Sequence, residues 1–213
     1  MTSEKIETKT TENISQNESP SLFWEMFKFA VLALIIVVPI RIFVAQPFIV
    51  NGSSMIPTFE SGHYLIVDQL SYRFNDPQRG DVVIFKYPKD PSKFFIKRII
   101  GLPGETLNLD AGQVTIINKN NPEGIKLDEP YIQFQRTLNS TIDLSDTEYF
   151  VMGDNRKASS DSRVWGPLPE EFMVGKALVR LFPFTKIDFI PGNYKYTKEE
   201  WLEEELKAQN IIN

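Results

Sequence analysis

Arg79-Gly80-Asp81-Val82-Val83-Ile84-Phe85 reads as a tight turn followed by four consecutive large apolar residues. A Gly-Asp breaker and a short β-branched and aromatic run of that length predict a strand buried on both faces. The same unit recurs outward in both directions. Towards the amino terminus, Asn75-Asp76-Pro77 separates it from runs at 64–67 and 48–50. Towards the carboxyl terminus lie runs at 94–96, 114–117, 149–152 and 177–181. They are punctuated by Gly101-Leu102-Pro103-Gly104 and Asn120-Asn121-Pro122-Glu123-Gly124, both suited to turns. The pattern predicts a mainly β body of largely antiparallel sheets over residues 46–196. No internal repeat is evident.

Upstream the chemistry changes twice. Residues 1–21 are polar and predict a disordered tail. From 29 to 40 every residue is apolar, and with Lys28 and Arg41 near the ends the stretch extends to about 27–44, close to the minimum for crossing a hydrocarbon core. Lys28 and Arg41 can snorkel, and Phe23, Trp24 and Phe27 suit an interface, so 22–45 is read as an uncleaved transmembrane anchor. Cleavage after Ala45 would leave Phe43 at the third-last position, unlike a signal peptide. The balance of Lys28 against Arg41 does not orient the anchor. At the other end, Thr197 and Glu200 have capping-box spacing, and Trp201, Leu202 and Leu206 predict a short acidic helix over 197–213.

Composition removes several chemistries. With a net charge of −5 and no basic block, nucleic acid is not the expected partner. The absence of cysteine excludes thiolate nucleophiles and disulfides, and the single histidine, His63, excludes multi-histidine metal sites. Neither a metal nor an organic cofactor is called for. Any Ser-His-Asp triad would need His63, which sits in a turn and reads as structural.

Three segments carry candidate chemistry. Asn51-Gly52-Ser53-Ser54-Met55-Ile56-Pro57-Thr58 sets Ser54 in a small-residue turn, where a nucleophile and backbone donors can be exposed together, although such composition also suits an ordinary loop. Lys97, in Phe94-Phe95-Ile96-Lys97-Arg98-Ile99-Ile100, is flanked by large apolar residues. Strand alternation puts Phe95, Lys97 and Ile99 on one face and turns Arg98 to the other, towards water. Desolvation there would leave the amine neutral enough to serve as a base, while a lysine covering an edge strand fits equally well. The third segment, residues 153–166, is dense in polar groups that suit second-tier support, with an Asp161–Arg163 pair bracing it.

These segments together resemble bacterial type I signal peptidases, membrane-bound serine proteases with a Ser–Lys dyad. Gly52-Ser53-Ser54-Met55-Ile56-Pro57-Thr58, Arg79 to Phe85, Lys97 to Glu105 and Gly153-Asp154-Asn155-Arg156 through Trp165-Gly166 occur in the family order. The resemblance implies a signal-peptidase-like antiparallel β fold, with Ser54 as nucleophile, Lys97 as general base and Ser159 orienting the amine. Asp161, Arg163, Asp154 and Asn155 would be structural support. By the same analogy an extended substrate lies between 48–51 and 94–96. Val50, Met55, Phe59, Phe95 and Ile96 would form shallow pockets for small residues at −3 and −1. Implied partners are signal peptides of exported preproteins, the lipid bilayer and the secretion machinery, with a single-pass chain in the cell membrane and its catalytic domain on the extracytoplasmic side. Two departures stand out: the serine some members carry two positions before the nucleophile is Gly52 here, and about 106–148 matches poorly apart from Glu129-Pro130-Tyr131 and reads as an insertion. Competing readings are a self-cleaving repressor-type Ser–Lys peptidase and a membrane-tethered β binding module.

Overall fold

A computed structural model describes residues 22–39 and 45–196 of the chain. The predicted polar tail, residues 40–44 of the predicted anchor and the predicted acidic helix lie outside the described residues. Two units result. The first is helix α1, Leu22–Pro39, whose 18 residues span about 27 Å at 1.5 Å per residue. None of its side chains is buried, and it is apolar all round rather than along one stripe, as a lipid-facing helix is. Its one charged pair of positions, Glu25 and Lys28, lies in the first two turns, where the Lys28 ammonium sits 5.8 Å from the centre of the Trp24 ring.

The second unit is built from twelve strands: β1 Ala45–Ile49, β2 Tyr64–Asp68, β3 Val82–Tyr87, β4 Asp90–Gly101, β5 Thr106–Asp110, β6 Gln113–Asn118, β7 Asn121–Lys126, β8 Ser140–Asp143, β9 Glu148–Met152, β10 Leu168–Pro169, β11 Met173–Phe182 and β12 Asp188–Phe189. Every strand pairing is antiparallel. The larger sheet runs β1-β2-β11-β3-β4-β9-β10 with β12 on β11, and the smaller runs β7-β6-β5-β8. A mainly β antiparallel body is thus what the sequence predicts and what the chain forms.

Strand β3 shows why the opening run decides the fold. Val82 and Ile84 enter one core with Val50, Met55, Phe59, Leu65, Val67, Ile96 and Ala177. Val83 and Phe85 enter another, with Ile99, Tyr149, Val151 and Leu168. A third core, including Ile100, Leu107, Ile116 and Phe150, joins the smaller sheet to β4 and β9. Although β1 and β4 are separated by three strands in the larger sheet, the Phe48 and Phe94 rings stand 5.3 Å apart. The sheet therefore curls until the outer edge of β1 faces β4. Alternating antiparallel pairings make these two edges run in the same direction.

One turn assignment is corrected. Asn121 and Gly124 belong to strand β7, whose partner is β6, and the turn falls at Lys119 and Asn120. Strand β7 is an edge, so Pro122 costs no ladder bond there. Strands β5 and β8 also escape a reading based on apolar runs, because Thr106-Leu107-Asn108-Leu109-Asp110 and Ser140-Thr141-Ile142-Asp143 alternate instead.

Leu107 is fully buried in the core between the sheets. Leu107→Ala is expected to cost roughly 2–5 kcal/mol, read as a lowered urea midpoint with an unchanged slope.

Candidate active site

Ser54 lies in the loop that returns β1 to β2. Its neck is closed by Val50 N–H donating to the His63 carbonyl and Gly62 N–H donating back to the Val50 carbonyl, both at 2.9 Å. Below the turn, Met55 and Phe59 plunge into the core. From the opposite side Asn155 holds the turn twice: its N–H donates to the Ser54 carbonyl at 3.0 Å and its Nδ2 to the Ser53 carbonyl at 3.2 Å. The Ser54 backbone is therefore fixed while its side chain remains half-buried at the surface.

Lys97 reaches that side chain from β4. Its Nζ stands 2.8 Å from Ser54 Oγ and 2.8 Å from the Ile96 carbonyl oxygen, and only 4% of the residue is exposed. Burial, which penalises the ammonium form, pulls the amine down to about 8, against the opposing pull of the Asp161 and Asp154 carboxylates. The predicted strand face is observed: the Lys97 amine sits 5.3 Å from the Phe95 ring centre, with Ile99 in the same core.

Arg98 departs from expectation. Alternation directs it to the other face, but that face is closed, and the residue is 1% exposed rather than wet. Its Nε and Nη2 donate to the two Asp154 carboxylate oxygens at 2.8 and 2.6 Å. Nη1 donates to the Gly80 and Gly192 carbonyls, and the guanidinium lies 3.9 Å from the Tyr131 ring centre. Asp154 also accepts from Thr58 Oγ1 at 2.5 Å. Such a buried pair survives desolvation only because its remaining polar groups are bonded.

The other predicted support residues converge on the same loop. Arg163 donates from Nε and Nη2 to Asp161, each at 2.8 Å, and Asp161 accepts the Gly153 N–H at 3.0 Å. Burial would raise the Asp161 carboxyl, but the Arg163 guanidinium and these bonds outweigh it and hold the group below the usual carboxylate range. Arg156 is paired with Glu129 beneath them. Ser159 is buried, its hydroxyl is among the groups that hold the Asp161 carboxyl down, and no hydrogen bond joins it to Lys97. His63 is buried with its Nδ1 accepting the Glu60 N–H at 3.3 Å, and burial lowers its basicity.

Between the β1 and β4 edges opens a cavity of about 300 Å³ that has Ser54 and Lys97 in its lining. Val50, Phe95 and Ile96 form part of its wall, as expected. Met55 and Phe59 do not: at 1% and 0% exposure they are core residues beneath the serine turn. The runs 48–51 and 94–96 line the cavity along their whole length, Phe48 and Phe94 included, while Leu65, Ile84 and Ser160, which also line it, and the Thr58–Asp154 and Arg156–Glu129 contacts were not foreseen from the sequence.

A protein-family model described as signal peptidase, peptidase S26, matches residues 23–182. The chain is similar to a probable signal peptidase I-1 of Synechocystis sp. (strain ATCC 27184 / PCC 6803 / Kazusa), with 38% identity over 175 residues, covering 76% of this chain and 86% of that protein. It is 37% identical over 182 residues to a signal peptidase I of Leptolyngbya laminosa, covering 81% and 86% respectively. Among solved structures, a signal peptidase I from Enterococcus faecalis V583 aligns with 28% identity and a TM-score of 0.41, covering 48% of this chain and 97% of that one.

The folded chain binds a proton at Lys97 more weakly than an unfolded chain would, so the buried ammonium costs stability at neutral pH. The cost disappears as pH rises from about 8 towards the ordinary lysine value. Lys97→Met is expected to raise unfolding free energy at pH 7 by up to about 3 kcal/mol, with the gain fading by about pH 10. Urea unfolding at a series of pH values reads this directly.

Proposed function

The chain belongs to the S26 family of signal peptidases, and from that premise we propose that Ser54 is its nucleophile and Lys97 its general base. It is a serine endopeptidase that removes signal peptides from preproteins. The observation that carries the assignment is the 2.8 Å approach of a desolvated lysine amine to a serine hydroxyl in an apolar-walled groove.

The Ile96 carbonyl takes one amine hydrogen, which turns the lone pair of neutral Lys97 towards Ser54. Lys97 accepts the hydroxyl proton as Ser54 Oγ bonds to the scissile carbonyl carbon. The resulting oxyanion is held by backbone N–H donors of the serine turn, since position 52 is glycine and offers no hydroxyl. Collapse breaks the C–N bond, and the Lys97 proton passes to the departing amine. Water then releases the acyl group, with Lys97 again the base.

The substrate enters as an extended strand between the β1 and β4 edges, where free backbone groups set its register. The narrow cavity between Val50, Phe95 and Ile96 favours small residues at −3 and −1. Ser159, buried in the loop that packs on the serine turn, is assigned to orient the Lys97 amine. The apolar helix anchors the chain in the cell membrane, with the β body on the extracytoplasmic side, where exported preproteins emerge from the secretion machinery.

Ser54→Ala and Lys97→Ala are each expected to lower cleavage of a signal-peptide-bearing substrate in trans by roughly 10⁴-fold or more. Retention of substantial activity by either would remove the dyad. Wild-type kcat/KM is expected to rise through a single ionisation at about 8, the value burial gives Lys97, and to level off above it.

A further inference from the structure

Downstream of β12 the chain crosses back beneath the serine turn as a short strap, residues 190–196. Its start is tied to β11 by Ile190 N–H donating to the Leu178 carbonyl at 2.7 Å. The Gly192 carbonyl then accepts from Arg98 Nη1. At φ +72° and against Thr58 Cγ2 and the Phe59 ring, Gly192 is a position where a Cβ would collide with Thr58. The Tyr194 carbonyl lies so close to Gly80 that a Cβ there has no room, and the Gly80 carbonyl shares the same Arg98 Nη1. Finally, Tyr196 packs on the core between the sheets, and its hydroxyl stands 2.7 Å from that of Tyr131, whose ring Arg98 covers. The strap thus encloses the Arg98 guanidinium from outside.

What Arg98 holds makes the enclosure consequential. It is the residue next to Lys97, and its partner Asp154 accepts from Thr58, four residues after Ser54. Asp154 also adjoins Asn155, which grips the Ser53 and Ser54 carbonyls. We propose that the strap 190–196 is a positioning element of the catalytic site: by packing Gly192 against Thr58 and Arg98, it fixes the Ser54 turn relative to Lys97 and keeps the amine's seat dry. The inference rests on the Ser54–Lys97 reading. Its residues touch neither substrate nor the reacting atoms, and they act through Arg98, Asp154 and Thr58.

The test uses the full chain in detergent with a signal-peptide-bearing substrate. Gly192→Ala is expected to lower kcat at least tenfold with KM within about twofold, and to move the pH–kcat profile to higher pH as water reaches the Lys97 amine. Thr58→Ser removes the methyl group that the new Cβ meets but keeps the hydroxyl on Asp154. Adding it to Gly192→Ala relieves that contact but not the strain of a side chain at φ +72°, so it should restore part of kcat and move the profile back. An unchanged kcat and profile for Gly192→Ala overturns the proposal. So does a lower melting temperature with normal kcat per folded molecule, or a failure of Thr58→Ser to rescue. If Gly192→Ala does not accumulate as folded protein, Tyr196→Phe carries the test, with a severalfold loss of kcat and the same displacement expected, and no change overturning the idea. Full activity in Ser54→Ala would instead remove the dyad, a result separable from every strap outcome.

Discussion

Removing the Lys97 amine from water is the constraint around which the β body is arranged. An ammonium in that position has lost its hydration and gains only two hydrogen bonds, to Ser54 Oγ and the Ile96 carbonyl. Among the described residues no carboxylate is paired with it, and a close anion would restore the ordinary lysine basicity. Asp154 and Asp161, bonded to Arg98 and Arg163, still pull the amine upward, but burial outweighs them. The lowered basicity of Lys97 thus rests on its burial.

The same ion pairs carry the backbone. Asp161 receives the Gly153 N–H, Arg156 donates to the Gly153 carbonyl, and Asn155 holds the serine turn. Gly153 has no room for a side chain, since a Cβ would strike Ser159 and the Ser54 carbonyl. The polar loop after β9 is therefore packed directly on the turn it supports. A buried network with nearly every member bonded is rigid, and rigidity is what a loop serine and a strand lysine 43 residues apart need in order to meet.

Much of this was legible in the sequence, for identifiable reasons. Strand β3 announced itself because both of its faces are buried and its apolar run is unbroken. Lys97 stood out because large apolar residues flank it, Ile96 in one core and Ile99 in another. Arg98 was misread because alternation fixes the direction of a side chain and says nothing of what waits there, in this case Asp154 from 56 residues away. Met55 and Phe59 were assigned to the cavity because the sequence does not reveal that the serine loop folds over its own apolar residues. Strand β7 was hidden by Pro122 and Gly124, whose turn preference yields to pairing with β6.

The most direct measurement is the titration of the Lys97 amine itself, followed by NMR of a lysine-labelled chain in detergent with Lys97→Met used for assignment. The account predicts a midpoint near 8 in the folded enzyme, displaced downward by burial. A midpoint at or above about 10, the range of a solvated lysine, would contradict it.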